Sequence, residues 1–219
     1  MNAGFFTLLA AARGATVHSF EPQPECVRVL RESLEGANAH LRPRVTVANV
    51  ALGHKGVLAV PAHDCHGFFS GGLSHTADAD AALHNVPIVA LRAFVPSLHP
   101  VQLVKIDTEG AEVPVLQELL HLARTRLMGH LVVELLPNLW ARRGASVPEV
   151  VAALEALQAA AARTLLLSDP KPFGIVATPA DDELPSGVDG PAFSGFNVTE
   201  LVRDRMKQDA GCNVWFSFQ

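Results

Sequence analysis

Leu103-Val104-Lys105-Ile106-Asp107-Thr108-Glu109-Gly110-Ala111-Glu112 is the stretch on which the fold turns. Its β-branched, apolar opening predicts a buried strand over 101–106. Behind it Val113, Leu116 and Leu120 fall at helical spacing, which predicts a helix over 112–123. A strand that runs through an acidic turn into an amphipathic helix is half of a βαβ unit.

Working outward, the same alternation recurs. Residues 4–13 read as a short helix stopped by Gly14, 16–20 as a β-rich run closed by Glu21-Pro22, and 24–35 as a helix ended by Gly36. Residues 45–51 suit a buried parallel strand, with shorter strands at 57–60 and 86–91. Downstream come a strand at 131–136, a helix at 147–162, a strand at 164–167, a helix at 198–208 and a strand at 213–218. Residues 169–195, rich in Pro, Gly and Asp, read as an irregular excursion inside one domain spanning 1–219. No internal repeat is visible. The expected class is α/β, a mainly parallel sheet with helices on both faces. Ligands of such sheets bind beyond the carboxyl ends of the strands, so the residues that close strands matter most: Glu21, Asn49, Asp107 and Glu134.

Composition narrows the functional classes. Hydrophobic residues make up 49% of the 219, which fits an ordered core and argues against disorder. The formal net charge is −5 and no Lys/Arg stripe occurs, so the footprint of a nucleic-acid binder is missing. The apolar run at 5–12 is too short to span a bilayer and lacks the basic flank of a secretory signal. Cys26, Cys65 and Cys212 are distant and odd in number, which suggests neither a disulfide framework nor a zinc site and favours a reduced compartment. The cytoplasm is the default location on this reading, and nothing in the sequence sets an oligomeric state.

An adenosine-type cofactor needs a tight turn for close backbone approach and a carboxylate one strand later for the ribose hydroxyls. Here Asn2-Ala3-Gly4-Phe5-Phe6-Thr7 runs into the first helix, and Glu21 stands 17 positions after Gly4. Any βαβ unit can show that spacing, so Gly4 as a plain turn and Glu21 as a strand cap form the bland alternative.

Five blocks carry a resemblance to a known family. Asn2-Ala3-Gly4-Phe5-Phe6-Thr7-Leu8-Leu9-Ala10 resembles the tail of the glycine-rich first motif of FkbM-type methyltransferases. His18-Ser19-Phe20-Glu21-Pro22-Gln23-Pro24 is similar to their second, and Asn49-Val50-Ala51-Leu52-Gly53-His54-Lys55-Gly56 to their third. Ser70-Gly71-Gly72-Leu73-Ser74 resembles the small-residue stretch in the middle, and Lys105-Ile106-Asp107-Thr108-Glu109-Gly110-Ala111-Glu112 the hallmark Lys-Ile-Asp-x-Glu-Gly-x-Glu. The resemblance implies a Rossmann-like sheet, S-adenosyl-L-methionine as methyl donor, and O-methylation of a hydroxyl on a small molecule or glycan. It implies donor contacts from Asn2, Gly4, Glu21, Asn49 and Val50, with Glu21 on the ribose.

Methyl transfer needs an in-line nucleophile and a place for its proton. Asp107 and Glu109, leaving the hallmark strand, are the candidate catalytic residues; capping of the following helix is the compatible structural role. Lys105 is expected to pair with one of these acids. Glu112 reads as a helix-surface or cap residue, His130 as an edge residue, and Glu134 as either a substrate contact or half of a structural pair. His54, His63, Asp64, Cys65, His66, His75 and His84 lack the spacing of a metal site and read as a solvated loop. The whole reading expects Glu21 and Asp107 to converge on one crevice.

Two departures from the family stand out. The family's first central strand and its acid would precede Met1, so the chain is expected to be an N-terminally shortened form that binds the donor weakly or not at all. Arg92 follows Leu91 where the family often has an acid. The competing readings are a catalytically inactive or truncated Rossmann-like binding module, and a dinucleotide or nucleotide-sugar enzyme, which would want the full Gly-x-Gly-x-x-Gly turn that is absent here.

Overall fold

The computed structural model describes residues 4–62, 65, 83–94, 100–141, 144–167, 178–179, 192–208 and 210–219. Asn2, the histidine-rich loop around His63, His66 and His75, and the 70–74 stretch lie outside the described residues, as does most of the 169–195 excursion. Two compact units are present, Met1–Ala93 and Phe94–Gln219.

In the first unit, α1 (Phe5–Ala12) leads to β1 (Val17–Phe20), α2 (Pro24–Glu35) and β2 (Val45–Ala48). Pro24 at the first helical position and Gly36 just past the last mark the ends of α2, as the sequence predicts. Strands β1 and β2 pair in parallel, Val17 opposite Val45 and Phe20 opposite Ala48. Ala11, Leu30, Leu34 and Leu41 form the buried core beneath them, with Leu8, Val17, Val45 and Val47 packed against it. The predicted strand at 45–51 is broken: it stops at Ala48, and β3 (Ala51–Leu52) leaves to join a second sheet. There β3, β5 (Leu83–Val89) and β4 (Gly56–Pro61) run in the order β3-β5-β4.

In the second unit, β6 (Val101–Ile106), α3 (Glu112–Arg124) and β7 (Met128–Leu135) are the βαβ unit foreseen from the opening stretch. Their parallel register sets Val101 beside Met128 and Ile106 beside Val133. The chain continues through α4 (Pro137–Trp140), α5 (Val147–Ala160), β8 (Arg163–Leu166), the short β9 (Thr178–Pro179) and β10 (Phe193–Ser194), α6 (Val198–Gln208) and β11 (Cys212–Ser217). A capping box starts α5: the Ser146 hydroxyl accepts from the Glu149 N–H while the Glu149 carboxylate accepts from the Ser146 N–H.

The sheet order is β6-β7-β11-β8-β10-β9. Strand β11 inserts between β7 and β8 and runs antiparallel to both. Hence β7 and β8 share a direction, as a crossover through α5 requires, although they do not touch in the ladder. Here the expectation of a mainly parallel sheet needs correction. Among the described residues, parallel pairing is confined to β1–β2, β3–β5 and β6–β7. The reason is nonlocal: the last strand returns into a gap that no local pattern announces. His130 is likewise not an edge residue, for β7 lies between β6 and β11.

The cysteines also depart from expectation. Cys26 on α2 is disulfide-bonded to Cys65, 39 positions later. Cys212 is free and buried, and burial pushes its thiol up to about 12, so it is a poor nucleophile at neutral pH.

Candidate active site

Each unit places acids at the end of a parallel strand pair, and each is described by itself. In the first, Gly4 precedes α1 in the left-handed region at φ 96°. A side chain there would be strained, and its Cβ would meet Leu30 Cδ1 at 2.6 Å. The need for glycine is thus met by packing of α1 on α2, whatever else the turn holds. Behind it the Thr7 and Ser19 hydroxyls share a buried hydrogen bond of 2.7 Å.

Glu21 is buried, 4% exposed. Its backbone N–H donates to Ala48 O at 3.1 Å, which extends the β1–β2 pairing by one step. Its carboxylate Oε1 accepts from the Gln23 N–H at 2.9 Å. Asn49, leaving the neighbouring strand, donates through Nδ2 to Glu21 O at 2.8 Å and to Pro22 O at 3.0 Å. The turn is therefore braced from two sides, and Asn49 acts on its backbone. Val50 is buried next to it in sequence. A carboxylate offers about four lone-pair sites, the acceptor chemistry that a vicinal diol calls for.

In the second unit the register carries past the strand ends: Ile106 stands beside Val133, so Asp107 comes level with Glu134. Lys105 Nζ donates to Asp107 Oδ2 at 2.8 Å, the pairing foreseen from sequence. Burial pushes the Asp107 carboxyl up, but hydrogen bonds from Lys105 and Glu134 and the Lys105 charge outweigh it and hold it below the usual range. Glu134 goes the other way. Burial, its hydrogen bond to Asp107 and the repulsion of Asp107 and Glu109 raise it to about 7, against the opposing pull of Lys105. Of the two coupled carboxyls, Glu134 is therefore the weaker acid and the one that keeps its proton to higher pH.

Glu109 has φ 52° and Gly110 φ 93°, two consecutive left-handed residues. Such backbone persists only where its surroundings hold it. The N-cap of α3 is Ala111, and Glu112 is the acid in its first turn.

The residue that sequence reasoning misplaced is Glu112. It is fully buried, not on the helix surface. Its Oε1 accepts from the Gly110 N–H at 2.8 Å and the Thr108 hydroxyl at 3.2 Å, and its Oε2 accepts from Trp140 Nε1 at 2.7 Å. Burial raises its carboxyl, while these donors pull it back. The hallmark motif carried the only signal, since Trp140 lies 28 residues away in sequence.

Among the described residues no group of His, Cys, Asp and Glu could hold a metal ion, and no helix is long and apolar enough to cross a membrane.

The family profile named Methyltransferase FkbM domain matches residues 1–160. The chain belongs to the FkbM methyltransferase family. Neither the curated proteins nor the solved structures yield a match. The match covers both strand-end clusters of this FkbM-family protein, from Gly4 and Glu21 through Asp107 and Glu109 to Glu134. It ends with α5, so β8, β11 and α6 lie beyond it.

Proposed function

We propose that this FkbM-family protein is one methyltransferase domain on a Rossmann-like sheet that methylates a hydroxyl oxygen on a small molecule or glycan, using S-adenosyl-L-methionine. The observation that carries the reading is the Lys105–Asp107–Glu134 cluster at the ends of adjacent parallel strands, with its carboxyls driven apart in acidity. When bound, the donor would supply an electrophilic sulfonium methyl group.

The chain's own residues have separable tasks. Glu21 suits the ribose diol, with Asn2, Gly4, Asn49 and Val50 forming the rest of the donor contact. Asp107 orients the acceptor hydroxyl as a hydrogen-bond acceptor, with Glu109 beside it and Glu134 touching the acceptor from the neighbouring strand. As the hydroxyl oxygen bonds to carbon, its proton passes to the Asp107–Glu134 pair. The pair can take that proton once Glu134 has ionised, above about pH 7, so turnover is expected to rise with pH through that value.

The test has two stages. Donor binding is followed by NMR shifts on titration into the millimolar range. Saturable binding is expected, weakened about tenfold or more by Glu21→Ala through loss of charge-assisted hydrogen bonds. A panel of sugars and small alcohols is then scored by release of S-adenosylhomocysteine. Asp107→Asn should keep donor binding and lower release about a hundredfold or more. Binding with no release from any acceptor would favour the inactive binding module, and no binding at all would overturn both.

A further inference from the structure

Glu112 does more than fill space under α3. Its three hydrogen bonds join two separate segments: the turn after β6, through Thr108 and Gly110, and the helix after β7, through Trp140. The first segment carries Asp107 and Glu109; the second follows directly on Glu134. Both Glu112 and Trp140 are 0% exposed, so the bridge works without competition from water. The Gly110 and Trp140 N–H groups can only donate, one to each oxygen, which suits a carboxylate against the opposing effect of burial. The two segments also pack directly. A Cβ on Gly110 would lie 2.6 Å from Leu139 Cβ and 3.1 Å from its carbonyl oxygen. The left-handed pair Glu109-Gly110 is thus pressed on α4 from one side and held by Glu112 from the other.

We propose that Glu112 is a positioning residue that sets the placement of Asp107 and Glu109 against Glu134 by tying the β6–α3 turn to Trp140. The functional part of this rests on the methyltransferase reading above; the clamp itself does not. Around Glu134 the groups whose charge bears on the test are Asp107, Lys105 and Glu109; from β11 the neutral thiol Cys212 faces it, itself hydrogen-bonded to Arg205 of α6.

The test reads the carboxylate pair directly in the full chain, with no donor or acceptor added. Selective 13C labelling of the side-chain carboxyls and NMR titration give the midpoint of Glu134, assigned by the signal lost in Glu134→Gln. Glu112→Gln must turn its NH2 either toward the Trp140 N–H or toward the Gly110 N–H, and so loses one bond in either orientation. Trp140→Phe removes the donor on the other side and serves if the Gln variant fails to fold. Each is expected to move the Glu134 midpoint from about 7 toward ordinary glutamate values by about one pH unit, a tenfold change in proton affinity. The double variant should shift it little further than either single one, because both cut the same bridge.

Leu157→Ala, a core truncation on α5, is the control. It should lower stability and leave the midpoint in place. A folded Glu112→Gln or Trp140→Phe protein with an unmoved midpoint would overturn the proposal, as would an equal shift in Leu157→Ala. Absence of donor binding, with the midpoints moving as expected, would remove the methyltransferase reading and leave the clamp standing.

Discussion

The turns after β1 and after β6 occupy the same place in their parallel strand pairs, yet they treat their acids in opposite ways. After β1, Glu21 is buried and held by the next turn's own backbone, with a neutral amide, Asn49, as the brace from the adjacent strand. After β6, Asp107 is half-buried, and the adjacent strand contributes a second acid, Glu134, in place of an amide. An amide brace fixes geometry at any pH. A carboxyl neighbour makes the geometry and the proton count depend on each other. The first arrangement suits recognition of a fixed partner, and the second suits a step in which a proton must move.

The largest expected effect tests how the first turn is anchored. The Cys26–Cys65 bond closes a loop of 39 positions in the first unit, and Cys212 of the second unit is free. Reduction, or Cys65→Ala, should lower the stability of the first unit by about 3–4 kcal/mol. Amide exchange in α2 would then accelerate while exchange in α3 and β7 stays as it was. Equal acceleration in both units would break the contrast.

A second pair of variants compares the glycines. Gly110→Ala combines a positive φ with a clash against Leu139 Cβ and backbone, and should cost about 3 kcal/mol. Gly4→Ala meets side-chain atoms of Leu30 and no backbone among its nearest contacts, and should cost about 1–2 kcal/mol. Urea melts of the two proteins check the ranking, and a larger loss for Gly4→Ala would reverse it.

The smallest effect is the pH dependence. Glu134 is raised from 4.5 to about 7 in the folded protein, so the native state holds a proton that the unfolded state gives up across that range. The contribution is complete below 4.5 and lost as pH rises through about 7. Asp107, held below its ordinary value, contributes with the opposite sign and only at lower pH. Glu134 is partly exposed, so solvent screening keeps the effect small. Glu134→Gln should flatten the fall in stability over that window. An unchanged slope in Glu134→Gln would show that Glu134 does not keep its proton to higher pH.

Much of this was open to reading in one dimension. Helix α2, strand β6 and helix α6 lie where apolar spacing, Pro24, Gly36 and the 101–106 run put them, because those signals act within a few residues. Asp107 and Glu134 were found as strand-end acids, and Lys105 as a partner for one of the turn's acids, for the same local reason. Glu112 was misread because helical position predicts a face, whereas one of its buried partners is Trp140, 28 positions further along the chain. The Cys26–Cys65 bond and the insertion of β11 between β7 and β8 escaped for the same cause.

The amino-acid order by itself determined the elements, the acids at their ends and the family they resemble, since propensity, periodicity and motif spacing are short-range properties of the chain. Tertiary structure alone decided which acids become neighbours, which one is sealed from water, and which strand fills the gap in the sheet. Those outcomes depend on burial and on charges brought within hydrogen-bond reach by packing, and no distance along the sequence encodes them.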